Sequence, residues 1–262
     1  MNTASLPKRS HATFYQDCFA ILEEAGIAFL IGGAFAQSRL TQRDRDTKDL
    51  DIILRRDDVP RMLAAFEHAG YQASIPYPHW LAKIHSNDHY LDVLFGSGNG
   101  IVHVDDIWFE HAVEAEVLDR KVRLCPPEEL LWSKAFVQER ERFDGADVLH
   151  LLHACAHAFD WDRLLARFDR HWPVIFGHLV TFMFAYPDRR GDLPRRVIED
   201  LADRFRRLEA DEREHVCYGT LLSREQYLYD VNVLGYEDAR LVPRGGMTKR
   251  DLEIWTEAIG KK

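Results

Sequence analysis

The stretch "TKDLDIIL" places the hardest constraint on this 262-residue chain. Leu50, Ile52 and Ile53 read as a strand of the core, yet Asp49 and Asp51 are interleaved with them. Residues two apart in a strand share a face, so Asp49 and Asp51 point together while Leu50 and Ile52 point the other way. Two adjacent carboxylates repel, and burying them without partners is costly. An edge strand whose aspartates face water, or pair with nearby arginines, would resolve the conflict. A divalent cation would also resolve it, because Mg²⁺ takes one or two carboxylates together with water and substrate phosphates.

Three neighbouring features favour the cation. Gly32-Gly33 lies between the short apolar run "IAFLI" and the helical "AFAQSRL". Missing side chains at such a junction let a phosphate approach backbone N–H groups and a helix N-terminus, although a plain tight turn has the same sequence. Asp92 stands in a second apolar strand, "YLDVLF", and would meet the first pair if the two strands are neighbours. Arg45 and Thr47 precede the pair at alternate positions and offer donors to a bound anion.

The pattern along the chain is α/β in the first half and helical in the second. Phe14, Cys18, Phe19 and Leu22 fall at helical spacing before Gly26. "DDVPRMLAAFEHAG" carries an Asp cap, Pro60 in the first turn and Gly70 after the end, so it predicts a helix. "HWLAKIHS" and "HYLDVLFG" predict two strands around Asn87-Asp88, and "VEAEVLDRKVRLC" a hairpin bending at Asp119-Arg120. "PPEELLWSKAFVQERERF" predicts one helix, and from about residue 147 onward the periodicity is helical throughout.

Composition excludes some partners. The net charge of −9 argues against a broad, sequence-independent polyanion binder, which needs a basic face. No apolar run reaches the ~18 residues of a membrane span. No secretion signal is evident at the N-terminus, and four widely spaced cysteines with no CxxC suggest neither a disulfide frame nor a zinc knuckle. A reducing cytoplasm, with no membrane partner, is the simplest setting.

Together, "LIGGAFAQSRLTQRDRDTKDLDI" and "YLDVLF" resemble the DNA polymerase beta-type nucleotidyltransferase superfamily. The Arg45-x-Thr47-x-Asp49-x-Asp51 form is most similar to its minimal bacterial branch of abortive-infection toxins and antibiotic-modifying enzymes. Downstream, Lys134, Arg140 or Arg142, and Asp144 with Asp147 resemble a further segment of that branch, though Phe143 stands where the branch often has a basic residue. The resemblance covers roughly residues 20–155 and implies an α+β fold, a nucleotidyltransferase-like mixed sheet flanked by helices and followed by a helical C-terminal part. It implies a catalytic domain over residues 1–130 and a mainly helical one over 131–262.

By the same resemblance, the activity is transfer of an NMP group from an NTP to an acceptor hydroxyl, with pyrophosphate release. Asp49, Asp51 and Asp92 are the expected catalytic and metal-binding residues, for two Mg²⁺ ions or Mn²⁺ in their place. Gly32, Gly33, Ser38, Arg45, Thr47 and Lys134 are the expected nucleotide-binding residues. The acceptor stays open among a small molecule, a protein and a tRNA-like RNA end, with an antitoxin as a further partner. Two alternatives stand beside this reading. One is a catalytically silent nucleotide-binding or regulatory protein of the same fold. The other is a metal-dependent hydrolase built on His150, His153 and His157, which share one helix face.

Overall fold

The computed structural model describes residues 11–43, 49–86, 89–210, 213–243 and 245–258. In chain order the elements begin with α1 (His11–Glu24), β1 (Leu30–Ile31), α2 (Gly33–Thr41), β2 (Leu50–Ile53) and α3 (Val59–His68). Then come β3 (Gln72–Tyr77), β4 (Leu81–Ser86), β5 (His89–Leu94), α4 (Asp106–Glu110), β6 (Val113–Val117) and β7 (Arg120–Leu124). The rest is helical: α5 (Pro127–Ala135), α6 (Gly145–Cys155), α7 (Trp161–Phe168), α8 (Trp172–Ala185) and α9 (Arg195–Arg206). A small β8–β9 pair (Val216–Cys217 and Glu237–Asp238), α10 (Leu228–Asn232) and α11 (Lys249–Glu257) follow.

Seven strands form one mixed sheet in the order β3-β4-β5-β2-β1-β7-β6. The pairs β2–β5 and β1–β7 are parallel, and the others are antiparallel. Leu50 and Ile52 are buried, as are Leu91 and Val93 on the neighbouring strand, so the alternation buries one face of both strands as the period of two requires. The mixed sheet, its flanking helices and the helical C-terminal part agree with the architecture expected from the sequence.

One strand was not anticipated from the sequence, and two local expectations needed correction. β3 carries no clean apolar alternation and contains Pro76; it lies at the sheet edge, where a missing N–H is tolerated, and its register with β4 shifts between Ser74 and Tyr77. The β6–β7 bend falls at Leu118-Asp119, both with positive φ, one residue earlier than read. The helix expected over residues 126–143 stops at Ala135. The chain then doubles back, with Gln138 bridged to Phe143 and the Asp144 N–H donating to the Val137 carbonyl at 3.0 Å.

One apolar cluster runs from Phe14 on α1 to Leu201 on α9. α2 packs on both α5 and α6, so the helical part shares the core of the sheet. The boundary expected at residue 130 falls inside α5.

Candidate active site

The parallel pairing of β2 with β5 puts Asp51 directly opposite Asp92. Neighbouring strands lie about 4.8 Å apart, so these two carboxylates stand side by side at the sheet surface. α1 fixes the start of both strands: the Tyr15 hydroxyl accepts from the Leu50 N–H at 3.2 Å and donates to the Tyr90 carbonyl at 3.4 Å. Burial pushes the Tyr15 phenol up to about 12, which keeps it a neutral donor. Asp49, just before β2 and exposed, accepts a hydrogen bond from the Tyr90 hydroxyl.

Gly33 opens α2 against this pair. Its φ is +54°, and a Cβ there would lie 1.6 Å from Asp51 Oδ2, so the carboxylate occupies the space a side chain would need. The Gly32 N–H donates to the Asp51 carbonyl at 2.9 Å, tying the glycine turn to β2, while a Cβ on Gly32 would press on Ile53. Desolvation, chiefly, and then the charge of Asp92 push the Asp51 carboxyl up to about 6. Arg142 and Lys134 pull in the opposite direction.

Lys83 on β4, missed in the sequence, is the cross-strand neighbour of Asp92, and its Nζ lies 2.5 Å from Asp92 Oδ1. Its only sequence signal was a charge at an inward strand position. Lys134 is buried on α5 and donates to Asp144 Oδ2 at 3.1 Å and Asp147 Oδ2 at 2.8 Å. Arg142 completes the cluster at 3.2 Å from Asp144. Burial disfavours the charge on Asp144, but Lys134 and Arg142 outweigh it and hold this carboxyl below its usual range. Ser38 sits in the second turn of α2 and does not line the cavity beside the acids. Arg45 and Thr47 lie outside the described residues.

A cavity of about 230 Å³ opens from Gly33, Asp51 and Asp92. Lys134, Arg142 and Asp144 flank it, and residues 220–224 and Trp255 close it from the C-terminal part. That cover had no sequence signal, because it is built by residues far along the chain.

Asp51 and Asp92 form an oxygen-only donor set whose mutual repulsion a hard divalent cation would relieve, which fits Mg²⁺. As the side chains stand, no group of three or more His, Cys, Asp or Glu among the described residues converges on one point. Lys83 holds one oxygen of Asp92 instead. On the histidine face, His153 packs against Tyr186 with the rings tilted and 4.9 Å apart, and His157 is exposed.

A helix opening from glycines against a DxD strand, with a third acid on the parallel neighbour, is the arrangement expected from the resemblance to nucleotidyltransferases. Residues 16–122 match the family described as Aminoglycoside-2''-adenylyltransferase. The similarity is therefore to antibiotic nucleotidyltransferases, the branch the sequence resembled. Among solved structures, the antibiotic-resistance factor ANT(2'')-Ia is 20% identical over 64% of this chain and 95% of its own, at a TM-score of 0.45. The lincosamide antibiotic adenylyltransferase LnuA is 18% identical over 55% and 96%, at 0.38. An antigenic nucleotidyltransferase-like protein from Paracoccidioides brasiliensis is 14% identical over 72% and 94%, at 0.45. No curated protein matches the sequence.

Proposed function

We propose that the protein is a metal-dependent nucleotidyltransferase that moves an NMP group, AMP by its family match, from an NTP to the hydroxyl of a small-molecule acceptor. The observation that carries this reading is the Asp51–Asp92 pair, packed against the glycine that opens α2.

Asp49, Asp51 and Asp92 would hold Mg²⁺, which supplies charge neutralisation for the triphosphate when bound. Gly32 and Gly33 leave room for phosphate oxygens at the α2 N-terminus, where backbone N–H groups favour anions. Asp92 takes the acceptor's hydroxyl proton. The freed oxygen bonds to the α-phosphorus, the α–β P–O bond breaks, and pyrophosphate leaves with the electron pair.

Lys134 is tied to Asp144 and Asp147, so its contribution to the nucleotide is a fixed positive charge behind Asp51 rather than a mobile phosphate ligand. No helix among the described residues is long and apolar enough to cross a membrane, and the four cysteines are free, which supports a cytoplasmic setting.

Calorimetric titration with ATP, with and without Mg²⁺, tests the reading. Wild-type protein is expected to bind ATP only with the metal, and Asp51→Asn and Asp92→Asn to lose that binding while staying folded. Folded wild-type protein that binds no nucleotide under either condition refutes it.

A further inference from the structure

The cavity beyond Asp92 has a chemistry that specifies its acceptor. Its walls are largely apolar, with Trp80, Trp108, Phe136, Val102, Leu221 and Trp255 around the space. Trp255 on α11 fits where Gly98 has no side chain, since a Cβ there would lie 2.5 Å from the indole. It meets Trp80 edge-on at 5.3 Å.

The acids in these walls are already committed. Asp92 pairs with Lys83, and Asp144 with Lys134 and Arg142. Glu139 pairs with Arg224 at 3.5 Å. Asp51 is the remaining lining acid, and the proposed function assigns it, together with Asp92, to the metal.

Most neutral polar groups are also engaged, the exception being the buried Trp80 indole N–H, which has no hydrogen-bond partner. Ser97 Oγ donates to Asn99 Oδ1 at 2.6 Å, the Asn99 amide donates to the Leu221 carbonyl at 2.8 Å, and Thr220 donates to the Cys217 carbonyl at 2.9 Å.

From these observations we infer that the acceptor is a neutral, ring-bearing alcohol rather than a polycation. A polycationic amino sugar must shed water from each ammonium on entry and needs a carboxylate to replace it. Taking one from an existing pair strands the Lys or Arg that held it, at greatest cost for the buried Lys134, so the polycation is penalised twice. A neutral ring meets neither penalty and covers the indole and aliphatic walls. The volume of about 230 Å³ lies below the ~300–1,000 Å³ of drug-sized pockets, so one or two rings are what it takes. The inference rests on the nucleotidyltransferase reading, and it departs from the aminoglycoside in the name of the matching family.

The test uses the full-length protein with Mg–ATP, a panel of neutral aromatic alcohols with chloramphenicol as its largest member, and tobramycin. Binding is followed by tryptophan fluorescence, transfer by pyrophosphate release and product mass, and ATP binding separately by calorimetry. The expected result is quenching and adenylylation with at least one neutral alcohol and neither with tobramycin. Trp255→Ala should raise the acceptor KM about tenfold with ATP affinity unchanged, and Trp255→Phe should recover most of the loss. Tobramycin bound or modified better than every neutral alcohol overturns the inference. So does intact ATP binding with no response to any neutral member, and that outcome leaves the nucleotidyltransferase reading standing. Loss of ATP binding itself removes both.

Discussion

Replacing Gly33 with Ala isolates the contact on which the site depends. The substitution adds one methyl group, at a φ of +54° and 1.6 Å from Asp51 Oδ2. Ordinary contact begins near 3.4 Å, so the carboxylate must retreat by about 2 Å or α2 must shift. A misplacement of about 1 Å in a reacting constellation costs on the order of 100-fold in rate, or about 2.7 kcal/mol of barrier. Left-handed backbone costs a non-glycine residue a further ~1–2 kcal/mol of stability.

Gly70→Ala is the matched control, because Gly70 has φ +85° with nothing within 4 Å of its Cβ position. Urea denaturation should show Gly33→Ala destabilised at least as much as Gly70→Ala, which carries the backbone cost without the contact. Mg–ATP affinity and transfer rate should fall at least about 100-fold in Gly33→Ala alone. If Gly33→Ala keeps activity within about threefold of Gly70→Ala, the carboxylate's position does not control the chemistry and the reasoning fails.

Two further outcomes follow from the charges. Burial raises Asp51 from 3.8 to about 6, so the folded state binds its proton more tightly than the unfolded chain. The stability this contributes is full below about pH 4 and is lost as pH rises through about 6. Asp51→Asn should therefore be more stable at pH 7, by up to about 3 kcal/mol, yet inactive; a variant less stable than wild type at pH 7 but not at pH 4 contradicts the burial argument. Lys134→Met leaves Asp144 and Asp147 facing each other without their shared cation, and should cost about 3–5 kcal/mol in chemical denaturation. A loss below about 1 kcal/mol with sharply weaker ATP binding would instead make Lys134 a direct phosphate ligand.

What was legible in the sequence was local. Gly33 and the DxD strand announce themselves through backbone freedom and a two-residue period. The edge strand β3 did not, because half-exposed positions and Pro76 give no apolar alternation. α5 was read too long because "FVQERERF" keeps a helical composition, while the turn that ends it depends on the Gln138–Phe143 bridge and on Lys134 drawing Asp144 back. Lys83 was invisible as a site residue until β4 was paired with β5.

The sequence by itself determined that Asp49 and Asp51 share the face opposite Leu50 and Ile52, since side-chain alternation is a property of any extended chain. Only the tertiary structure decided what meets them. The parallel register of β2 with β5 puts Asp92 beside Asp51, and β4 delivers Lys83 to Asp92. Residues 220–224 and Trp255 return to roof the cavity and fix its chemistry. Strand partners and returning segments are chosen by burial of the shared core, an energy summed over the whole chain, and no local pattern carries it.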